Sequence, residues 1–255
     1  MSNYIEETNK KYQRPIGIDT VTKSNVFDPL VQQVGLWSSY NNFPITDIKL
    51  SGSRAKGTAI SLTSDLDIFI SLSSSNTETL GNIFNSLYNY FNKPSYNCRK
   101  QNVSVGITYG GMKVDLVPGC RQSQYGDDHS LYKSRQNTWT KTNIDAHINI
   151  VKDSSRIPEI VAAKIWRHRH TLDFPSIFLE LVTINALKNK STFDHDSNFL
   201  GLLEYFCDNI HAVTIIDPAN SNNIISNDLT LAEKRIIANQ AGLSRNEKSW
   251  SSILW

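Results

Sequence analysis

Hydrophobic and polar residues follow two different periods along the chain, and the period changes about halfway. In the first half, short segments alternate apolar and polar positions, which is typical of strands with one buried face. Two longer segments repeat apolar residues every three or four positions and indicate helices, one beginning at Asp28, whose side chain can cap it, and one over residues 77–91. The predicted strands are residues 45–50, 65–72, 102–109 and 112–117, the last two joined by the hairpin signal Gly110-Gly111.

Helical spacing dominates the second half, after a polar segment of irregular pattern at residues 119–142. We interpret that polar segment as a crossing between two lobes. The sequence therefore predicts an α/β fold of the α+β type, in which residues 1–120 form a small mixed sheet with flanking helices and residues 121–255 form a mostly helical lobe. The helices predicted in the second lobe cover residues 143–152, 157–170, 175–189, 197–210 and 230–243.

Composition narrows the class of protein only in part. The 255 residues include 26 basic and 24 acidic side chains, and a net charge of +2 is too weak to indicate an extended nucleic-acid surface. The three cysteines are far apart, so neither a disulfide framework nor a zinc site is expected. The first twenty residues lack the apolar core of a secretory signal, and the apolar stretch at residues 174–187 is too short to span a bilayer. We expect a cytoplasmic protein without a membrane partner.

Two carboxylates on the second predicted strand are the clearest chemical signal in the sequence. Because side chains alternate faces along a strand, Asp65 and Asp67 share one surface, and the apolar residues around them face the other. The strand rise places their Cα atoms roughly 7 Å apart. Two anions held this close are destabilising unless a cation lies between them, and hard oxygen ligands favour Mg²⁺.

A third carboxylate and a phosphate-binding loop complete the candidate site. Asp115, on the strand at residues 112–117, can join the pair if the two strands are neighbours, and the three carboxylates would then hold two Mg²⁺ or Mn²⁺ ions. Gly52 and Ser53 follow the first strand, where a glycine lets the backbone approach a phosphate closely. Lys56 in the same loop is a further nucleotide-binding candidate, although it can equally face solvent. The loop is neither a Walker motif nor a Rossmann turn.

The order and spacing of these motifs resemble the nucleotidyltransferases of the DNA polymerase beta superfamily. The pattern is a Gly-Ser pair, eleven intervening residues, Asp-x-Asp on an apolar strand, and a later aspartate in the segment Val114-Asp-Leu-Val-Pro118. The resemblance covers about residues 46–118 and implies that Asp65 and Asp67 bind both metal ions, with Asp115 joining the ion that activates the attacking hydroxyl. The alternative from the residues alone is that the two carboxylates of the strand only face solvent or cap turns.

Within that superfamily, the second half of the chain resembles the cyclic-oligonucleotide synthases of bacterial defence (cGAS/DncV-like nucleotidyltransferases) and the oligoadenylate synthases. CCA-adding enzymes of the archaeal type share the same architecture. The resemblance implies that Lys164 and Ser176 hold the donor triphosphate. Taken alone, Lys164 can also be a lysine whose stem lies along the core, and Ser176 a helix cap after Pro175. The segments that carry the resemblance are residues 143–147, 160–167, 174–181 and 217–223.

The resemblance implies a two-lobed nucleotidyltransferase with its site between the lobes. A ribose hydroxyl would attack the α-phosphorus of a nucleoside triphosphate, with release of pyrophosphate. The expected product is a cyclic di- or trinucleotide second messenger of antiviral defence, made from ATP and other nucleotides by a monomer that has no stable nucleic-acid partner. Three alternatives remain open: a CCA-adding tRNA nucleotidyltransferase, which the weak net charge disfavours, an enzyme that adenylylates an antibiotic, and a silent protein that keeps only the fold, which the three clustered anions disfavour.

Overall fold

The computed structural model describes residues 3–63 and 65–255, and their elements form a sheet unit and a helical unit. As far as these residues are described, the sheet unit comprises Pro15–Gly57 and Ser64–Ile148. The helical unit comprises Met1–Arg14, Thr58–Thr63 and Asn149–Trp255. Neither unit is therefore continuous in sequence, and residue 120, where the sequence pattern places a lobe boundary, lies within a strand of the sheet unit.

Most strands lie in the sheet unit, whereas helices prevail in the helical unit. The strands are β1 Ile45–Leu50, β2 Asp65–Leu72, β3 Arg99–Lys100, β4 Val105–Tyr109, β5 Met112–Arg121, β6 His129–Lys133, β7 Thr138–Thr142, β8 Ile216–Asp217 and β9 Asn220–Ile224. The helices are α1 Tyr4–Tyr12, α2 Thr20–Thr22, α3 Asp28–Asn41, α4 Gly52–Lys56, α5 Leu80–Phe91, α6 Ile144–Lys152, α7 Ile157–Arg169, α8 Ser176–Ala186, α9 His195–Asn209, α10 Leu231–Arg245 and α11 Trp250–Ile253.

The main sheet has the strand order β1-β2-β5-β4-β3, and β6 and β7 extend it from the end of β5. β2 and β5 run parallel, and the other neighbours are antiparallel. The sheet is therefore mixed, as predicted. In the parallel pair, Asp67 is aligned with Asp115 and Asp65 with Lys113.

The two faces of β2 differ as its alternating pattern predicted. Leu66, Ile68 and Ile70 are completely buried in a core that they share with the apolar faces of α3 and α5. Asp65 and Asp67 occupy the opposite face, where Asp65 is exposed. Burial of the apolar face holds the strand in one orientation, because a shift of one residue would exchange the two faces.

Residues 119–142 are not the irregular crossing that their polar pattern predicted. They form the end of β5 and the hairpin of β6 and β7. On β6 the side chains of His129 and Leu131 are buried, whereas most positions of β7 are not. A strand that hydrogen-bonds to its neighbours along its backbone can be stable without alternating apolar and polar side chains. The sequence pattern therefore did not predict this hairpin.

The start of α3 also differs from the prediction. The helix begins at Asp28, but the backbone of Lys23–Phe27 is already coiled as a π-helical segment, so Asp28 does not cap a free helix end. Its carboxylate instead contacts Lys23 Nζ at 2.6 Å.

The helical unit packs around α7, of which eight consecutive residues, 159–166, are buried. Trp166 is fully buried and stacks on Phe206 of α9 with ring centroids 5.8 Å apart. Asp196 accepts hydrogen bonds from the backbone N–H groups of Tyr4 and Ile5, which fastens the start of α1 to α9. No helix in the described part of the chain combines the length and apolar character needed to cross a membrane.

Candidate active site

The turn after β1 brings the backbone against a carboxylate of β2. The Ser51 N–H donates to the Asp67 carbonyl oxygen at 2.8 Å. Gly52 follows with a positive φ of 59°, and a Cβ atom built on it would lie 1.8 Å from Asp67 Oδ2. Only a glycine fits here, both for its backbone conformation and for the space it leaves. The sequence pattern assigned this close approach to a phosphate, but in the structure the Asp67 carboxylate fills it.

The other two predicted residues of this loop, Ser53 and Lys56, lie on the short helix α4 together with Arg54. Ser53 is partly buried, next to Gly52. Arg54 and Lys56 are buried, with 4% and 7% of their surface exposed, so neither basic side chain faces solvent. The solvent-facing alternative for Lys56 is therefore wrong, while its contact with a nucleotide stays a prediction.

The three predicted carboxylates share one face of the sheet. Asp65 and Asp67 are two positions apart on β2, and Asp115 of β5 is the in-register partner of Asp67. Neighbouring strands lie about 4.8 Å apart, so the backbone brings Asp67 and Asp115 together across a single strand spacing. Asp65 is exposed, whereas Asp67 and Asp115 are partly buried.

The surroundings of Asp115 affect its carboxyl group in two opposite directions. Burial raises the pKa of its carboxyl group, and the negative charge of Asp65 raises it further. Arg99, Gln101 and Lys113 act in the opposite direction and lower that pKa. Asp65 and Asp115 therefore carry like charges on the same face of the sheet, and a cation would reduce their repulsion.

This face fits a divalent cation by its donor chemistry. Carboxylate oxygens are the ligands that Mg²⁺ and Mn²⁺ prefer, and a cation would relieve the repulsion between the aspartates. Among the described residues, however, no three side chains of His, Cys, Asp or Glu already form a group that could hold a metal ion. The roles of the three aspartates as metal ligands stay predictions.

The helical unit contains the other predicted residues, around a pocket of about 340 Å³. Lys164 and Ser176 both line it, so the structure brings these two residues together although they lie twelve positions apart. Basic and hydroxyl groups dominate the polar part of the wall. The lining residues are Thr63, Lys164, Arg167, His168, Leu172, Asp173, Phe174 and Ser176.

Lys164 is more deeply buried than a lysine reaching to the rim of a cleft would be. Its ammonium donates to Glu180 Oε1 at 2.7 Å and to Thr58 Oγ1 at 2.8 Å. The side chains of Lys164 and Glu180 are only 4% and 1% exposed. The lysine therefore neutralises a buried carboxylate in addition to bordering the pocket.

Ser176 is not the cap of α8, because Pro175 occupies the cap position and no side chain caps this helix end. Its hydroxyl instead accepts a hydrogen bond from Arg167 Nη2 at 3.0 Å. Arg167 also donates to the Phe174 carbonyl oxygen at 2.5 Å, and burial lowers the pKa of its guanidinium. The sequence interpretation did not select Arg167, although its position one helical turn after Lys164 was a usable signal.

Comparison with known proteins finds similarity to cyclic-oligonucleotide synthases in sequence and to related enzymes in fold. No protein-family model matches it. The cyclic AMP-AMP-AMP synthase of Escherichia coli (strain MS 115-1) is 26% identical over 191 residues, which are 68% of this chain and 59% of that relative. The aligned part is thus less than two thirds of the relative's length.

Two solved structures share the fold over most of its length. E. coli MS115-1 CdnC with ATP superposes with a TM-score of 0.73 at 20% identity, covering 95% of this chain and 89% of the other. The Bradyrhizobium diazoefficiens CD-NTase CdnG in complex with GTP superposes with a TM-score of 0.74 at 12% identity, covering 95% of this chain and 88% of the other. The predicted fold and the predicted resemblance to the cyclic-oligonucleotide synthases are both confirmed.

Proposed function

We propose that this chain is a metal-dependent nucleotidyltransferase that joins nucleoside triphosphates into a cyclic di- or trinucleotide. The observation that carries the proposal is the alignment of Asp67 with Asp115 on neighbouring parallel strands, with Asp65 on the same face. The likeness to a cyclic AMP-AMP-AMP synthase and to a synthase structure that contains ATP favours ATP as a substrate.

The carboxylate face is where the reaction would take place. Asp65, Asp67 and Asp115 would hold two Mg²⁺ or Mn²⁺ ions, which supply Lewis-acid activation of the attacking hydroxyl and of the leaving oxygen. A ribose hydroxyl oxygen forms the new bond to the α-phosphorus, and the bond from that phosphorus to the bridging oxygen breaks, so that pyrophosphate leaves. Asp115, whose carboxyl pKa is raised by burial, would accept the hydroxyl proton.

The donor triphosphate would be held by hydroxyl and basic groups. Ser53 supplies a hydroxyl beside Gly52 in the sheet unit, and Lys56 is a further contact in the same loop. In the helical unit, Lys164, Arg167 and Ser176 line one pocket and present cationic and hydroxyl donors to it. Phosphate oxygens accept hydrogen bonds strongly from the cationic donors among them, because both partners then carry charge.

The biological role follows from the class of product. A cyclic oligonucleotide is a second messenger, and we place this one in antiviral defence, in the cytoplasm. We expect the enzyme to work as a monomer without a nucleic-acid partner, since its formal net charge is only +2.

One experiment tests the proposal directly. The protein is incubated with all four nucleoside triphosphates and either Mg²⁺ or Mn²⁺, treated with phosphatase, and the products are identified by mass spectrometry. A closed ring has no terminal phosphate, so a phosphatase-resistant cyclic product is expected, and it should be absent with EDTA. Labelling of tRNA that lacks its CCA end, or of an aminoglycoside, with no product from nucleotides alone, would contradict the proposal.

A further inference from the structure

A row of three aligned residues crosses the sheet beside the carboxylate face. Gly106 of β4 is the partner of Arg99 on one side and of Asp115 on the other. A Cβ atom on Gly106 would lie 2.7 Å from Gln101 Nε2 and 2.9 Å from Arg99 Cζ. The side chains of Arg99 and Gln101 therefore cross over Gly106 in the space that any other residue would fill.

Both of these side chains reach the same oxygen of Asp115. Gln101 Nε2 donates to Asp115 Oδ1 at 2.7 Å, which is a full hydrogen bond. Arg99 Nη2 lies 3.7 Å from Oδ1, within ion-pair distance, on a side chain that is 42% exposed. The short contact is thus made by the neutral amide, and the exposed guanidinium adds a weaker interaction.

Every polar group of Gln101 makes a hydrogen bond. Its backbone N–H donates to the Ser104 carbonyl oxygen at 2.9 Å, and its own carbonyl oxygen accepts from Ser134 Oγ at 2.7 Å. Its side-chain Oε1 accepts from Ser104 Oγ at 3.1 Å. A carboxylate only accepts hydrogen bonds, so the amide nitrogen must face Asp115, and Ser104, which is 4% exposed, fixes the amide in that orientation.

We propose that Gln101 is a positioning residue that sets the orientation of the Asp115 carboxylate for metal binding and that Gly106 is a glycine in order to admit it. The inference rests on the proposed function, in which Asp115 is a metal ligand. A carboxylate with one oxygen fixed has lost rotation about its last bond, and the direction of Oδ2 is thereby determined. Partners of this kind typically account for 10–100-fold in metal affinity or activity.

Two substitutions remove this contact in different ways. Gln101→Met keeps the size of the side chain and removes the donor. Gly106→Ala does not change the Gln101 residue itself. The new Cβ instead displaces the Gln101 amide, which is the far end of a flexible side chain. The matched controls are Gln122→Met, whose amide donates to Ser130 Oγ, and Gly35→Ala, whose Cβ would meet nothing within 4 Å.

The readouts are Mn²⁺ binding, measured by electron paramagnetic resonance with a non-hydrolysable ATP analogue present, and steady-state kinetics. We expect both variants to bind Mn²⁺ about 10-fold or more weakly and to lose kcat to a similar extent. KM for ATP should stay within about two-fold, since Gln101 touches Asp115 and not the triphosphate. Melting temperatures report whether each variant is folded, and both controls should behave as wild type.

The outcomes separate this inference from the proposed function. If wild type makes a cyclic product that requires Asp115, and both variants match it in Mn²⁺ affinity and kcat, Gln101 has no positioning role. Tighter Mn²⁺ binding by the variants would also overturn the inference, because Gln101 would then oppose the metal. If wild type forms no product, the proposed function fails, but Mn²⁺ binding still tests the role of Gln101. The positioning role is excluded if wild type does not bind Mn²⁺, or if wild type and both variants bind it with equal affinity.

Discussion

Asp67 and Asp115 stand in register on the neighbouring parallel strands β2 and β5. Paired residues of a sheet point to the same face, so this register delivers one carboxylate from each strand to one surface. A slip of one residue would bring Val114 or Leu116, which are completely buried, to that surface and turn Asp115 into the core. The apolar core beneath the sheet therefore maintains the geometry of the candidate site.

Asp67→Asn should abolish formation of the cyclic product and leave the fold intact or slightly more stable. The amide keeps the shape of the side chain but loses the charge that a metal ion requires, and its removal relieves repulsion within the cluster. Product formation is followed by mass spectrometry and stability by thermal melting. Asp47→Asn, an exposed position on β1, is the control and should be fully active. Normal turnover by Asp67→Asn would refute the site assignment.

Gly52→Ala should remove activity and destabilise the protein by more than backbone strain alone. An alanine at positive φ is destabilising by about 1–2 kcal/mol, and here its Cβ also collides with Asp67 Oδ2. Gly17→Ala isolates the strain, because Gly17 has a φ of 80° and a Cβ there would meet nothing within 4 Å. Urea unfolding of the two variants measures the difference, and equal losses of stability would contradict the close approach to Asp67.

Lys164→Met should lower the free energy of unfolding by about 3–5 kcal/mol, because it removes the ammonium that lies 2.7 Å from the buried Glu180 carboxylate. The double variant Lys164→Met/Glu180→Leu should recover most of that loss, since an apolar pair can replace a buried ion pair. If Lys164 also contacts the triphosphate, the double variant keeps a raised KM for ATP despite its recovered stability. A wild-type KM in the double variant would restrict Lys164 to a structural role.

Arg167→Met should raise KM for ATP by about 10-fold, the effect of losing one hydrogen bond to a charged group. Arg169→Met is the matched control, because Arg169 lies on the same helix but donates to the Ser251 carbonyl oxygen and not to the wall of the pocket. Steady-state kinetics compare the two variants. Equal KM values would exclude Arg167 from the nucleotide site.

Lowering the pH should destabilise the sheet unit through His129. Burial lowers the pKa of this imidazole from 6.5, and the nearby charges of Arg121 and Lys49 lower it further, whereas the backbone and charge of Asp127 oppose this. Above pH 6.5, His129 is neutral in both the folded and the unfolded state, so this residue makes no contribution to the pH dependence of stability. Below 6.5 the unfolded chain binds the proton first, and stability decreases until the pH reaches the lower, folded-state pKa.

The change is measured as the slope of melting temperature between about pH 7.5 and pH 5.5. His129→Gln can still accept from Ser71, which contacts His129 Nε2 at 2.8 Å, but it cannot titrate, so its slope should be shallower than that of wild type. His211→Gln, at an exposed position, should leave the slope unchanged. An unchanged slope in His129→Gln would assign the pH dependence to other groups.

Elements whose signal is local could be predicted from the amino-acid sequence alone. The alternation of β2 separates Asp65 and Asp67 from the buried face, and the helical spacing of residues 77–91 leads to α5. Together with the ordered motifs, these patterns were sufficient to predict the mixed fold and the resemblance to cyclic-oligonucleotide synthases, both of which are confirmed. Local periodicity suffices here because burial of one face acts within each element.

Features that depend on partners distant in sequence follow only from the folded chain. The register of Asp67 with Asp115, the hydrogen bond from Gln101 and the ion pair of Lys164 with Glu180 all join different elements. The β6–β7 hairpin also depends on pairing between elements, because hydrogen bonds between its polar strands stabilise it and the residue pattern of either strand does not. Pairing and packing of this kind follow from which surfaces meet in space, and the period of a single segment carries no information about its partner.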